Sequence, residues 1–546
     1  MSISLGQPCD EGLVRSKGAT APCRESSARW ILLATILGSS MAFIDGTVVN
    51  VALAALQANL GATVLQVQWV VEAYSLLLAA FLLLGGSLGD HYGRRRVFLI
   101  GTILFALASV WCGLAPSVGQ LILARGVQGF GGALLVPGSL AIIGASFDET
   151  GRGRAIGTWS GFTAIMAALG PIIGGWLIEQ VSWRAVFFIN LPLALIVMII
   201  SLWFVPESRD DTDTKKLDWL GAWLTAGGLG LLVYALIESS RLGFTHVAVI
   251  GTFVSGTVVL LVFWWFETRI SNPMIPSALF RSRNFSGANL LTFLLYSALS
   301  GTLFFLPLNL IQVQRYSATA AGAALLPFTL VLFLLSRWGG GLAERYGAKV
   351  PLVAGPLITA LGFGLFTLPG VGGDYWRTFG PAVVVLGLGM AISVAPLTAT
   401  VMNAVAANRV GIASGINNAI SRCATLLAIA AFGIVMLHVF DRSLDQRLAA
   451  LELSPNVRQA LDAERVKLAG AILPEEIAPP LRAAIRRAIN DSFVEGFRYI
   501  MLIGAGLSVA SAITSLLLIE GKRGRLRPES ISAQEDSWAR LRFKGD

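Results

Sequence analysis

Charge is what this chain has least of. Asp, Glu, Lys and Arg make up 13% of its 546 residues, where a soluble domain carries about 25%. That shortage excludes an ordinary solvated globular fold. Histidine is scarce too, with only His91, His246 and His438. The four cysteines stand apart at Cys9, Cys23, Cys112 and Cys423, with no CxxC pair. Such spacing supports neither a zinc site nor a disulfide framework. No HExxH and no P-loop occur, which counts against a metallohydrolase and against ATP-driven work. The net charge is +9, but the basic residues sit in short connections and a C-terminal tail. They do not alternate with exposed aromatics, so no nucleic-acid partner is expected. No cofactor is expected either.

What the chain has is apolar length: 55% of it is hydrophobic. Fourteen apolar segments can be marked, at roughly 30–55, 67–89, 97–115, 119–145, 155–178, 185–205, 218–238, 247–266, 287–312, 320–343, 351–369, 379–402, 411–438 and 496–519. At ~1.5 Å per helical residue, each approaches or exceeds the ~30 Å hydrocarbon core. The expected fold is therefore an all-α integral membrane protein with 14 transmembrane helices, with the lipid bilayer as its first partner.

Orientation follows from the connections. If the chain starts in the cytosol, the inner short loops hold fourteen Lys and Arg, among them Arg94, Arg95, Arg96, Lys215, Lys216 and Lys349. The outer ones hold Arg184, Arg241, Arg315 and Arg377. This is a positive-inside bias. It predicts cytoplasmic termini, with residues 1–29 and 520–546 as polar cytosolic tails. No short cleavable apolar region precedes the first span, so 1–29 does not read as a signal peptide.

One stretch repeats. Gly86-Ser-Leu-Gly-Asp90-His-Tyr-Gly93-Arg94-Arg95-Arg96 ends one apolar segment and opens the next, and Gly340-Gly-Leu-Ala-Glu344-Arg-Tyr-Gly347-Ala-Lys349 does the same downstream. Two copies at matching places imply a duplicated bundle, the architecture of a secondary transporter. The halves would be 30–206 and 286–519, each a six-helix bundle. Residues 207–285 would be a linker with two extra helices, read as structural filler against lipid. Residues 440–495 form a long outer loop with many charges. Leu444, Leu448, Leu451, Leu461 and Leu468 recur in it at roughly helical spacing. It reads as a pair of short amphipathic helices on the membrane or the protein, or as an outer cap affecting release.

Ionisable groups in hydrocarbon cost several kcal/mol unless they face a cavity or a partner. Asp45, Glu72 and Arg125 fall in one layer, ~6–9 Å outside the midplane by helical rise. Two carboxylates and a guanidinium together suggest a coupled proton site, with a structural ion pair as the alternative. Arg422, Asn417 and Asn418 make a polar stripe in the thirteenth segment, suited to substrate lining or to interhelical hydrogen bonds. In the inner loop, Gly86 and Gly93 permit close approach and a tight turn. Asp90, Arg94 and Arg95 would form a charge-linked gating latch between the halves. Gly170, Pro171, Gly174 and Gly175 place a closely packing, bendable stretch in the fifth segment.

These motifs resemble the major facilitator superfamily, and within it the fourteen-span drug:proton antiporter family of the QacA/EmrB type. Gly86 to Arg95 is similar to the superfamily's loop signature. Leu121, Arg125, Gln128, Gly129 and Gly131 to Ala133 are similar to its fourth-span motif, whose Arg is implicated in proton coupling. Gly170-Pro171-Ile-Ile-Gly174-Gly175 resembles the fifth-span antiporter motif, with Met166 in place of a glycine. Asp45-Gly-Thr47-Val-Val-Asn50-Val-Ala-Leu53 resembles the family's first-span signature, with Ala54 where proline is usual. The resemblance implies a proton-coupled exporter of small amphipathic molecules, monomeric, in the bacterial inner membrane. It adds Asn50 and Gln128 to Asn417, Asn418 and Arg422 as candidates for the substrate cavity. Some members work with a periplasmic adaptor protein, and others export a metabolite or siderophore. An importer is the remaining alternative within transport.

Overall fold

The computed structural model describes residues 25–520, apart from 148, 210–217, 271–272, 274, 406–409, 452 and 475–476. The two predicted tails lie almost wholly outside the described residues. Among those described, thirteen helices are long and apolar enough to cross a membrane. A further apolar helix, Lys349–Leu365, has 17 residues. Numbered in chain order, the helices are α1 (Glu25–Leu60), α2 (Val64–Tyr92), α3 (Arg94–Leu114), α4 (Val118–Ser146), α5 (Glu149–Gln180) and α6 (Ala185–Phe204). Then follow α7 (Trp219–Leu242), α8 (Val247–Glu267), α9 (Arg283–Leu308), α10 (Leu326–Tyr346), α11 (Lys349–Leu365), α12 (Phe379–Asn403), α13 (Val410–Leu448) and α14 (Pro479–Leu518).

The duplication is visible in the packing. Within the first six helices, α4 packs on α2 and α3, α1 on α5 and α6, and α3 on α6. The same pairs recur eight helices later: α12 on α10 and α11, α9 on α13 and α14, and α11 on α14. The match extends to single glycines. A Cβ on Gly129 would strike the carbonyl of Tyr74, and one on Gly387 that of Phe328. Gly85 lies against the carbonyl of Ala133, and Gly339 against that of Ala391. Gly101 meets Gly131, and Gly355 meets Gly389. Small residues let these backbones touch where lipid supplies no hydrophobic drive between helices. The two turns also match. Gly93 and Gly347 each follow a tyrosine at a helix end, with φ of 108° and 82°, a region that favours glycine.

The two extra helices differ from each other. α8 is mostly exposed, as expected of a lipid-facing filler. α7 instead touches both α2 and α13 and so bridges the two halves. Its Leu229, Val233 and Ile237 are buried in the main core cluster.

The 440–495 stretch is shorter as a loop than its composition suggests. α13 runs on to Leu448 and α14 starts at Pro479, so both helices overrun the bilayer. Between them stand one short helix, Pro455–Glu464, and the 3-10 turn Arg465–Gly470. Leu444, Leu448, Leu461 and Leu468 are buried in the protein core, with Leu451 packed against it. This cap therefore rests on the protein. Glu464 clips it: the carboxylate accepts from the Ile472 N–H at 2.9 Å and from Lys467 Nζ at 2.6 Å. Burial alone would raise the Glu464 carboxyl, but these donors hold it below its usual range. A depressed value means that the clip's stability is full above 4.5, the ordinary value, and is lost as pH falls through the lowered one. At neutral pH, Glu464→Gln should speed hydrogen exchange at the Ile472 amide; unchanged exchange would contradict the clip.

Candidate functional site: a buried ion pair in the first half

Asp45 on α1 and Arg125 on α4 are 0% and 1% exposed. Arg125 Nη1 donates directly to Asp45 Oδ2. Gln128, one turn along α4, donates from Nε2 to Asp45 Oδ1 at 2.8 Å and to Ser109 Oγ at 2.8 Å. Its Oε1 accepts from Arg125 Nη1 at 2.6 Å. Asn190 on α6 donates to Asp45 Oδ1 at 3.4 Å and to Ser109 Oγ at 3.2 Å. The Cys112 thiol lies 3.6 Å from Gln128 Oε1. Arg125 Nε donates to the Val70 carbonyl on α2 at 3.0 Å. Its guanidinium carbon sits 4.2 Å over the Tyr74 ring, and the Tyr74 hydroxyl donates to the Ala42 carbonyl at 3.1 Å. Helices α1, α2, α3, α4 and α6 thus all contribute to one dry polar cluster.

Sequence reading found Asp45 and Arg125 because charges in apolar spans stand out. It placed Gln128 in the substrate cavity, whereas Gln128 is fully buried between Asp45, Arg125 and Ser109. It missed Asn190, Ser109, Tyr74 and Cys112. Asn190 offered a signal, as a lone carboxamide early in a very apolar span.

Glu72 shares the depth but not the cluster. It is 0% exposed, and neither of its carboxyl oxygens has a partner among the described residues. Its helix face carries Gln68, which donates to the Ile429 carbonyl on α13 at 3.1 Å, and Leu76, which packs near Gly230 on α7. Glu72 therefore lies buried at the seam of α2, α7 and α13.

The polar stripe on α13 splits. Asn417 donates to Asn289 Oδ1 at 3.0 Å and to Thr292 Oγ1 at 2.7 Å, clamping α13 to α9. Asn418 is exposed. Arg422 is half-buried, makes no hydrogen bond or ion pair among the described residues, and lies within electrostatic reach of Tyr74 and Tyr296. Tyr74 is thus within electrostatic reach of both the buried pair and Arg422. Asn50 is half-buried and makes no hydrogen bond among the described residues.

Among the described residues, Asp90, Arg94 and Arg95 do not latch the halves together. Arg94 pairs with Asp90 at 2.7 Å, one turn before it. Glu207, just past α6, accepts from the backbone N–H of Arg95 at 3.1 Å and of Arg96 at 3.2 Å. It also lies 3.9 Å from Arg95 Nε and 3.6 Å from Arg96 Nε. A carboxylate on the start of α3 is favoured by the orphan N–H groups and the helix dipole. These partners lie in the first half or, for Glu207, on the first residue of the linker. Gly93 leaves room for Glu207, since a Cβ there would sit 2.7 Å from Oε1. The close helix approach expected of Gly86 is made by Gly85, because Gly86 has only ordinary contact with Pro137. Glu207→Ala should cost about 2 kcal/mol for two lost capping bonds. A thermal unfolding midpoint equal to wild type would contradict that role.

The halves are joined on the opposite face, the one that carries the cap. Gln312 Nε2, just past α9, donates to Gln57 Oε1 on α1 at 2.8 Å. Gln68 on α2 bonds α13, as above. Thr319 N–H, in the short helix Ala318–Ala323 that leads into α10, donates to Glu179 Oε1 at the end of α5 at 2.6 Å. The glycine motif of α5 is built into the same region. Gly170 and Gly174 pack against Thr47 and Val48 of α1. A Cβ on Gly175 would lie 2.5 Å from the Ala318 carbonyl, and one on Gly322 would strike that of Pro171. α5 stays helical through Pro171.

The Major Facilitator Superfamily model matches residues 35–429. The chain is 34% identical over 505 residues to the multidrug resistance protein Stp of Mycobacterium tuberculosis, covering 90% of this chain and 91% of that protein. It is 31% identical over 508 residues to the tetracenomycin C resistance and export protein of Streptomyces glaucescens, covering 92% and 93%. A bacterial homologue of the human lysosomal transporter Spinster, solved in an inward-facing unoccupied conformation, shares the fold: TM-score 0.63 at 17% identity, covering 90% of this chain and 98% of that one. The chain is a multi-pass membrane transporter, not an enzyme, and it belongs to the major facilitator superfamily.

Proposed function

We propose that the protein is a proton-coupled efflux antiporter of the fourteen-span type, with Lys349–Leu365 as its eleventh span. It would export small amphipathic molecules across the bacterial inner membrane as a monomer with both termini cytoplasmic. In that orientation the cap face is external. The names of its relatives, multidrug resistance and tetracenomycin C resistance and export, support efflux.

The observation that carries the proton assignment is the sealed Asp45–Arg125 pair. A proton and the Arg125 guanidinium compete for one carboxylate in a dry site. When Asp45 is neutral, Arg125 still has the Val70 carbonyl, Gln128 Oε1 and the Tyr74 face. The cluster can therefore hold its cation in both protonation states. Tyr74 carries the change toward Arg422, and Asn50, Asn418 and Arg422 are the substrate-side candidates. Glu72 stands apart as an accessory acid. Alternating access would require the Gly175–Ala318 and Pro171–Gly322 contacts to part. A periplasmic adaptor protein is a further candidate partner, and export of one specific metabolite or siderophore is the alternative substrate reading.

The test is transport in proteoliposomes with an imposed pH gradient. A fluorescent amphipathic dye should move against the proton flow and stop when an uncoupler is added. Dye movement that ignores the gradient would overturn the coupling.

A further inference from the structure

On the cap face, past the Gln57–Gln312 bond, lies a cavity of about 810 Å³. Its walls come from the end of α1, the stretch after α9, the 3-10 turn of the cap and the start of α14. They are apolar except for Gln57, Gln312 and a set of cations: Arg315, Lys467, Arg482 and Arg486. Lys467 is paired with Glu464 at 2.6 Å. Arg486 donates to the Ala469 and Ala471 carbonyls at 3.2 and 2.8 Å, and Arg482 to the Pro474 carbonyl at 3.1 Å. The two carbonyls fix the Arg486 guanidinium at the wall without neutralising it. Arg315 makes no hydrogen bond or ion pair among the described residues, and its charge faces that of Arg486. Among the described residues, no acidic side chain lines the cavity.

Two further observations mark it as built to hold something. Gln57 lines the cavity at 4% exposure, and its Nε2 has no hydrogen-bond partner among the described residues. A buried donor left unmade costs about 1–3 kcal/mol, and an acceptor on a ligand in the cavity would satisfy it. The wall is also irregular: α9 ends in the π-helical turn Asn309–Val313, and Arg315 adopts φ 62°. For a residue with a Cβ that conformation costs of order 1–3 kcal/mol and tends to occur at ligand clamps. Like charges gathered around an apolar pocket with an idle amide donor are what an amphipathic anion would need.

We propose that this vestibule binds the anionic head of an amphipathic molecule, a phosphate or carboxylate. The Arg315 and Arg486 guanidiniums would flank the head, Gln57 Nε2 would donate to it, and its tail would lie on Ala54, Ala55 and Ile311. The head group could arrive on an exported anion or on a membrane phospholipid. The proposal concerns binding alone, so it stands or falls separately from proton coupling.

The test is saturable binding of octyl phosphate to the full chain in phosphatidylcholine nanodiscs, corrected with empty discs. Wild type should bind octyl phosphate, and octyltrimethylammonium should not compete. Arg315→Gln should weaken binding by roughly tenfold, the scale of one charge-assisted hydrogen bond. Gln57→Leu, which changes no charge, should weaken it too. Neither variant removes a charged partner from the protein, so both should fold. In phosphatidylglycerol discs, loss of octyl phosphate binding assigns the site to lipid. Retained binding with gradient-driven export of the probe assigns it to substrate. No saturable binding in phosphatidylcholine, equal affinity in both variants, or equal binding of the cationic probe would each overturn the proposal.

Discussion

Asp45→Asn is expected to abolish gradient-driven export and to destabilise the protein at the same time. The two effects have separate causes. Transport fails because an amide cannot exchange a proton with the buried site. Stability falls because Arg125 keeps its charge with its counter-ion gone, and breaking a buried pair from one side costs about 3–5 kcal/mol. The cost should lie toward the low end, since Val70, Gln128 and Tyr74 still hold the guanidinium. The double change Asp45→Asn with Arg125→Gln removes the stranded charge. It should recover most of the thermal stability and none of the gradient-driven transport. Recovery of both would mean that the pair only holds the first half together.

The second large effect is expected at the contact between α5 and the approach to α10. Gly175 and Gly322 let two backbones from different halves touch, and a side chain at either must push them apart. Overpacking costs about 1–3 kcal/mol, which at ~1.4 kcal/mol per tenfold shifts a two-state balance by roughly ten- to a hundredfold. Gly322→Leu should therefore favour a form open on the cap face. A cysteine introduced as Asn50→Cys, on the α1 side of the seal, should then react faster with a membrane-impermeant maleimide added outside. Dye export should drop by tenfold or more, because the cycle needs both forms. Equal labelling rates in the two backgrounds would show that the contact is not a gate.

How much of this was legible in the sequence depended on cost. A charge in hydrocarbon is expensive, so Asp45, Arg125 and Glu72 could be picked out by position alone. Ser109, Gln128 and Asn190 cost less, so their polarity alone does not mark them; only the fold shows that Gln128 and Asn190 converge on one carboxylate with Ser109 behind them. The duplication was legible at the Tyr-Gly turns, where positive φ limits the choice of residue. It was not legible at Gly85, because adjacent glycines on a helix face different neighbours. Glu207 could not be matched to Arg95 and Arg96 from sequence, since nothing local ties it to them. The overrun of α13 and α14 was hidden for a related reason. A charged helix beyond the bilayer carries the composition of a loop, and its buried leucines are recognised only once they have a core to face. α7 passed for filler because bridging two halves calls for no polar residue.

The central claim is that Asp45 gains and loses a proton as substrate binds and leaves. The most direct measurement is proton release on substrate addition to the purified protein in weakly buffered solution. Wild type should release protons in proportion to bound substrate, and the Asp45→Asn, Arg125→Gln double variant should bind substrate and release none. Equal release from both proteins would place the coupling proton elsewhere and contradict the account.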